Sequence, residues 1–223
     1  MADLIFYTNP MSRGQTIRWM LEEVGEPYDT QILEYGTTMK AEPYLSINPM
    51  GKVPAIKHGD KVITEVAAIC LYLADAFPQA GLAPDAADRA DYYRWVFFTS
   101  GPVEAAFTTK SMGWEVPPER QAMAGFGNYE TAIRTLEKGL DGREYIAGDR
   151  FTAADLFVGA MVNFMLTFKL LEPTPIFADY AKRMTDRDAH RRAQEIDGKL
   201  IAEMQAKQAP TQEAEAEAEA HPS

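Results

Sequence analysis

A chain of 223 residues, 46% hydrophobic and 25% charged, has enough apolar material for one large core or two small ones. Its formal net charge is −11, and four of the negatives (Glu213, Glu215, Glu217 and Glu219) lie in a tail without Lys or Arg, which leaves the body near −7; that sign argues against nucleic acid or an anionic membrane as the main partner. The one cysteine, Cys70, excludes an internal disulfide and a Cys-x-x-Cys redox pair, so thiol chemistry here must use a thiol from outside.

Near Met1 a charged Asp3 and a strand-like LIFY stand where a signal peptide would need a long apolar run. No apolar segment approaches the length that spans a bilayer. A reduced, cytoplasmic setting is the expectation. Residues 4–7 read as a short buried strand, broken by Thr8-Asn9-Pro10-Met11. A helix is predicted from Ser12, with Ile17, Met20, Leu21 and Val24 on one side and Gly25 at its end. Ser12-x-x-Gln15 has the form of a capping box. Residues 28–33 form a second strand and 40–45 a loop or short helix. Strand, helix and strand in so short a span imply a parallel crossover.

The stretch NPMGKVPAIKHGDKVITEV begins at Asn48. It reads as a turn, an extended run over 52–57, a hairpin turn at His58-Gly59-Asp60, a return strand over 61–64 and a helix from Glu65. Proline cannot donate to a strand ladder, so Pro54 must lie where its missing N–H does no harm. A cis Val53–Pro54 bond would expose the main chain of Val53 at a cleft beside a helix N-terminus. Such an edge suits a small extended peptide carrying a carboxylate.

Residues 77–85 are a turn-rich linker, after which almost no strand pattern remains. Helices are predicted over 86–112, with a bend at Gly101-Pro102, then over 120–140, 152–170, 176–186 and 189–207. Thr152 and Asp155 have capping-box spacing, with Phe151 and Leu156 as the hydrophobic staple. The Ala/Glu-rich tail over 208–223 has nothing to bury and is predicted to be disordered. His58, His190 and His221 are dispersed, without metal-ligand spacing.

The run from Asn48 resembles the glutathione-binding half of the cytosolic glutathione transferases, bacterial type. That half is a thioredoxin-like domain with a cis-proline and, eleven residues on, an acidic or amide residue followed by serine. Here Pro54 and Glu65 keep the spacing, but Val66 replaces the serine and removes one hydroxyl. The resemblance covers about residues 3–205. It implies an α/β plus all-α fold: a thioredoxin-like domain over 1–77, an all-helical domain over 86–207 and the acidic tail beyond. It also implies a homodimer, no cofactor beyond glutathione as co-substrate, and a small apolar electrophile as second substrate.

The resemblance gives individual residues expected roles. Val53, ahead of Pro54, would pair its main chain with the cysteinyl residue of glutathione. Lys52 would reach the glycyl carboxylate, and Lys40 joins the substrate-binding set. Glu65 would take the γ-glutamyl amino group, and the N–H of Val66 would help hold its carboxylate. Ser12 is the expected thiolate donor, Tyr7 its rival, with Thr8 and Asn9 as further candidates. Lowering a thiol pKa from about 8.5 by two units requires roughly 3 kcal/mol in favour of the anion. A hydroxyl donor and a helix N-terminus together can supply that. The second substrate is expected against Tyr93, Phe97, Ser100, Met112 and, foremost, Phe107 and Trp114. Two other functions stay open: a glutathione-dependent disulfide reductase or peroxidase, and a non-catalytic binding protein that keeps the fold.

Overall fold

The computed structural model describes residues 3–220, with side chains described for 3–207. The first half runs β1 (Leu4–Thr8), α1 (Gly14–Val24), β2 (Asp29–Ile32), a one-turn α2 (Tyr44–Ile47), β3 (Ala55–His58), β4 (Lys61–Thr64) and α3 (Val66–Ala76). The sheet order is β2-β1-β3-β4. β1 and β2 are parallel, with Phe6 beside Thr30, as the strand–helix–strand reading required. β3 pairs antiparallel with β1 and with β4.

Strand alternation decides which side chains face which layer. Phe6 lies under α1, with the Arg18 guanidinium 4.9 Å from its ring centre. Tyr7 points to the opposite face and meets Tyr44 of α2 at 5.7 Å. Periodicity gave α1 one apolar side, whereas the structure also buries Arg18 and Trp19. The second buried side is covered by the helical half: Trp19 packs on Phe151 at 6.2 Å and edge-on to His190 at 4.8 Å.

In that half, α4 (Arg89–Phe98) passes through a π-helical segment, Thr99–Val103, into α5 (Glu104–Ser111). The expected break at Gly101-Pro102 is thus an irregular stretch inside one long rod, where the wider turn accommodates a proline without an N–H. Next come α6 (Tyr129–Leu140), α7 (Ala153–Thr167), α8 (Pro175–Thr185) and α9 (Asp188–Ala220). α6 starts well after residue 120, where the sequence placed it. Gly127 has φ +67°, which a right-handed helix cannot contain, and the Asn128 side chain caps the later start by accepting the Thr131 N–H at 2.8 Å. The predicted disorder over 208–223 falls outside the described side chains, and for 221–223 outside the described residues altogether.

The box at the head of α7 is present and larger than the sequence implied. Buried Asp155 accepts from the Thr152 N–H (3.0 Å) and hydroxyl (2.9 Å), the Ile146 N–H (2.7 Å) and the Tyr180 hydroxyl (3.0 Å). It therefore ties α7 to the preceding loop and to α8.

Candidate functional site

The turn between β1 and α1 is held by its own side chains. Asn9, 1% exposed, donates its amide to the Leu33 carbonyl at 2.8 Å and accepts the Met11 N–H at 2.9 Å. Buried Thr8 donates its hydroxyl to the Asn9 carbonyl at 3.3 Å. Both residues are thus occupied in shaping the turn. A Cβ on Gly14 would lie 1.9 Å from the Thr8 hydroxyl oxygen, so α1 can begin this close to β1 only with glycine.

Ser12 sits half-buried in this turn. Its hydroxyl donates to the Asn9 carbonyl at 2.7 Å and accepts the Gly14 N–H at 2.9 Å. The expected capping box takes another form: Gln15 bonds through its main-chain N–H to the Ser12 carbonyl and through its side chain to the Pro10 carbonyl. Arg13 is already in the right-handed helical region, so Gly14 presents the nearest N–H to the hydroxyl. Arg13 itself forms an ion pair with Glu104 of α5. The rival Tyr7 packs with Tyr44 on the α2 side of the sheet, and burial raises its phenol pKa, which keeps it neutral.

The Val53–Pro54 bond is cis, as is Glu42–Pro43. β3 begins only at Ala55, and among the described residues no hydrogen bond engages the main chain of Val53. The carbonyl just before it is clamped. Lys52 O accepts the Tyr44 hydroxyl at 2.5 Å and the Asn48 amide at 2.8 Å, and both donor residues are buried. The Lys52 side chain is exposed, while the Lys40 ammonium donates to the Met50 carbonyl at 3.0 Å. Between β4 and α3, exposed Glu65 has φ +66° and ψ 122°. A non-glycine residue held there costs about 1–3 kcal/mol, a strain characteristic of ligand clamps. It leaves the first N–H groups of α3, from Val66 on, without helical partners.

A cavity of about 830 Å³ opens beside Ser12. Its walls come from the start of α1, from α7 and from α9, and include Trp19, Phe157, Phe164, Phe168, Asn163 and Gln194. Phe107 and Trp114, expected to line the second-substrate site, are not among its walls. Phe107 stands behind Phe164 at 6.1 Å, and Trp114 lies on the loop after α5, 64% exposed. Nor do Lys40, Lys52, Val53, Pro54, Glu65, Val66 or Tyr7 line it, so of the proposed polar machinery it touches only Ser12. Phe164 and Phe168 were missed because α7 reads as uniformly apolar; their four-residue spacing was the available signal.

His190 lines the same cavity, and burial lowers its pKa below the usual value of 6.5. The unfolded chain therefore takes up this proton first as pH falls. Stability should decline below about pH 6.5 and level off under the folded pKa. In urea titrations across that range, His190→Phe is expected to flatten the slope.

Comparison with known proteins fits this arrangement. Residues 11–76 match the glutathione S-transferase N-terminal domain and 103–193 the C-terminal domain. The chain belongs to the glutathione S-transferase family. It is 30% identical over 159 residues to glutathione S-transferase GST-4.5 of Xanthomonas campestris, covering 68% of this chain and 78% of that one. Glutathione S-transferase A of Pleuronectes platessa is 32% identical over 186 residues, covering 73% and 82%. Among solved structures, a glutathione transferase from Methylococcus capsulatus aligns with TM-score 0.72 at 26% identity, over 87% of this chain and 98% of its own. A sphingomonad glutathione S-transferase complexed with glutathione aligns at 0.68, with the same identity and coverage.

Proposed function

We propose that the protein binds glutathione along the Val53 edge, ionises its thiol beside Ser12, and transfers it to an apolar electrophile held between α1, α7 and α9. The observation that carries this reading is the unpaired main chain of Val53, fixed from behind by the two donors on Lys52 O. An extended tripeptide can add to that edge by main-chain bonds. The Lys52 ammonium then faces the glycyl carboxylate. Glu65 takes the amino group, and the open N–H groups at the head of α3 take the γ-glutamyl carboxylate. The thiolate attacks an electrophilic carbon: a carbon–sulfur bond forms, the leaving group departs with its electron pair, and the thiol proton passes to solvent. Ser12 keeps the Gly14 N–H and turns its own proton from the Asn9 carbonyl to the sulfur. A homodimer in the cytoplasm, with no cofactor besides this co-substrate, completes the proposal.

The second reading is a binding protein that retains the fold. It is favoured by the Ser12 proton already having an acceptor and by Val66 offering no hydroxyl. Calorimetry with glutathione, followed by rates with a halo-nitroarene and with a small disulfide, separates the readings. Binding with arene turnover supports transfer; disulfide turnover alone indicates a reductase; binding without turnover indicates a scaffold; and no heat at millimolar glutathione removes glutathione from the account. Tyr44→Phe deletes one donor on the Lys52 carbonyl. It is expected to weaken glutathione by about 0.5–1.5 kcal/mol, severalfold in Kd, with little change in rate at saturation.

A further inference from the structure

Ser12 has a single hydroxyl proton, and it already lies on the Asn9 carbonyl at 2.7 Å. Turning that proton to sulfur withdraws the shortest bond from an acceptor inside a buried turn. The same carbonyl is approached by two further donors, the Ser12 N–H at 3.0 Å and the Thr8 hydroxyl at 3.3 Å. A carbonyl oxygen has two lone pairs, so three donors crowd it. The Thr8 bond gives way: it is longer than the about 2.5–3.0 Å usual between oxygens. Among the described residues the Thr8 hydroxyl has no other acceptor, and at 1% exposure it is out of reach of solvent. Valine would fill the same volume without burying a hydroxyl short of a good acceptor, and such burial is costly.

The two hydroxyls also converge in space. A Cβ on Gly14 would lie 1.9 Å from Thr8 Oγ1 and 3.0 Å from Ser12 Oγ, so the bare Gly14 Cα lets both stand over the head of α1. The Gly14 N–H, 2.9 Å from Ser12 Oγ, holds that oxygen in place while its proton changes partner.

We propose that Thr8 is a positioning residue for thiolate formation: when Ser12 turns its proton to the glutathione sulfur, the Thr8 hydroxyl closes onto the Asn9 carbonyl in its place. Both hydroxyls keep their protons, two O–H bonds rotate, and the thiol proton goes to solvent. Thr8 acts through Ser12, from inside the turn. The inference rests on the thiol-transfer reading and adds the group that lowers the cost of the switch.

Ultraviolet titration of the bound glutathione thiol, on the full chain, tests this with a cycle of four proteins: unaltered, Thr8→Val, Ser12→Ala and the double variant. Thr8→Val is expected to raise the thiol pKa by about half a unit to one unit, the size of one net hydrogen bond. Thr8→Ser keeps the hydroxyl and should titrate close to the unaltered protein. In the Ser12→Ala background Thr8→Val should add no further shift, because no serine proton is left to turn. A merely structural threonine would shift the thiol equally in both backgrounds. Thr8→Ala, which only removes atoms, replaces Thr8→Val if valine disturbs folding. Glutathione affinity, measured where the thiol stays protonated, should be nearly unchanged throughout. A Thr8→Val titration identical to that of the unaltered protein, an equal shift in the Ser12→Ala background, or a Thr8→Ser variant that behaves like Thr8→Val would each overturn the inference and leave the transfer reading standing. A bound thiol that titrates like free glutathione in the unaltered protein removes the transfer reading, and the inference with it.

Discussion

Replacing Asp155 by alanine is expected to destabilise the protein by about 3–5 kcal/mol, far more than the roughly 1 kcal/mol of an ordinary helix cap. The carboxylate is fully buried and accepts from the Ile146 N–H, the Thr152 N–H and hydroxyl, and the Tyr180 hydroxyl. Alanine leaves these donors without an acceptor in a site water cannot easily reach. A buried donor left unsatisfied costs about 1–3 kcal/mol, and partial rehydration brings the sum down to the figure given. Asparagine should rescue only part of the loss, since its amide presents one oxygen where the carboxylate presents two. Thr152→Ala removes a single donor and should cost about 1–2 kcal/mol. Urea unfolding of the three variants measures the series. A loss in Asp155→Ala no larger than in Thr152→Ala would mean that the links to Ile146 and Tyr180 contribute little.

Asp197→Leu is the second large effect. Arg18 and Asp197 form a buried pair, 2% and 5% exposed at their side chains, that joins α1 to α9 through a 3.2 Å bond from Nε. Arg18 also donates to Tyr28 and Thr30 through Nη1, while its Nη2 has no partner among the described residues. Removing the carboxylate strands a guanidinium that is already short of acceptors. The expected cost is about 3–5 kcal/mol. Arg18→Met combined with Asp197→Leu should recover much of this, because exchanging a buried pair for apolar side chains is often neutral or stabilising. Urea midpoints decide it: a double variant no better than Asp197→Leu would show that the bridge itself, and not the orphaned charge, sets the cost.

Neither effect was visible in full from the sequence, and the reason is long-range contact. The capping box at Thr152 and Asp155 is a local pattern and was legible; Ile146 and Tyr180 reach it only through the fold. Arg18 sits in an apolar helix pattern where a charged residue reads as solvent-facing, yet α9 closes over it. The strands were legible because turn chemistry and residue spacing carry them, whereas the cis Val53–Pro54 bond was legible only through the resemblance, which the spacing to Glu65 supports; an X–Pro bond taken alone favours trans. The positive φ of Glu65 was not, since nothing in a glutamate announces it. Phe107 and Trp114 were expected at the second-substrate site because aromatic spacing does not tell an inward from a sideward face; the cavity beside Ser12 is lined from α1, α7 and α9 and does not include them.

The account turns on whether Ser12 and the head of α1 hold a glutathione thiolate. Ultraviolet difference titration of the protein–glutathione complex tests this directly, because the thiolate absorbs where the thiol does not. The bound thiol is predicted to titrate about two units below the free value of about 8.5, and Ser12→Ala to return it by about one to two units with glutathione affinity nearly intact. A bound thiol that titrates like free glutathione, or a Ser12→Ala titration identical to that of the unaltered protein, would contradict the account.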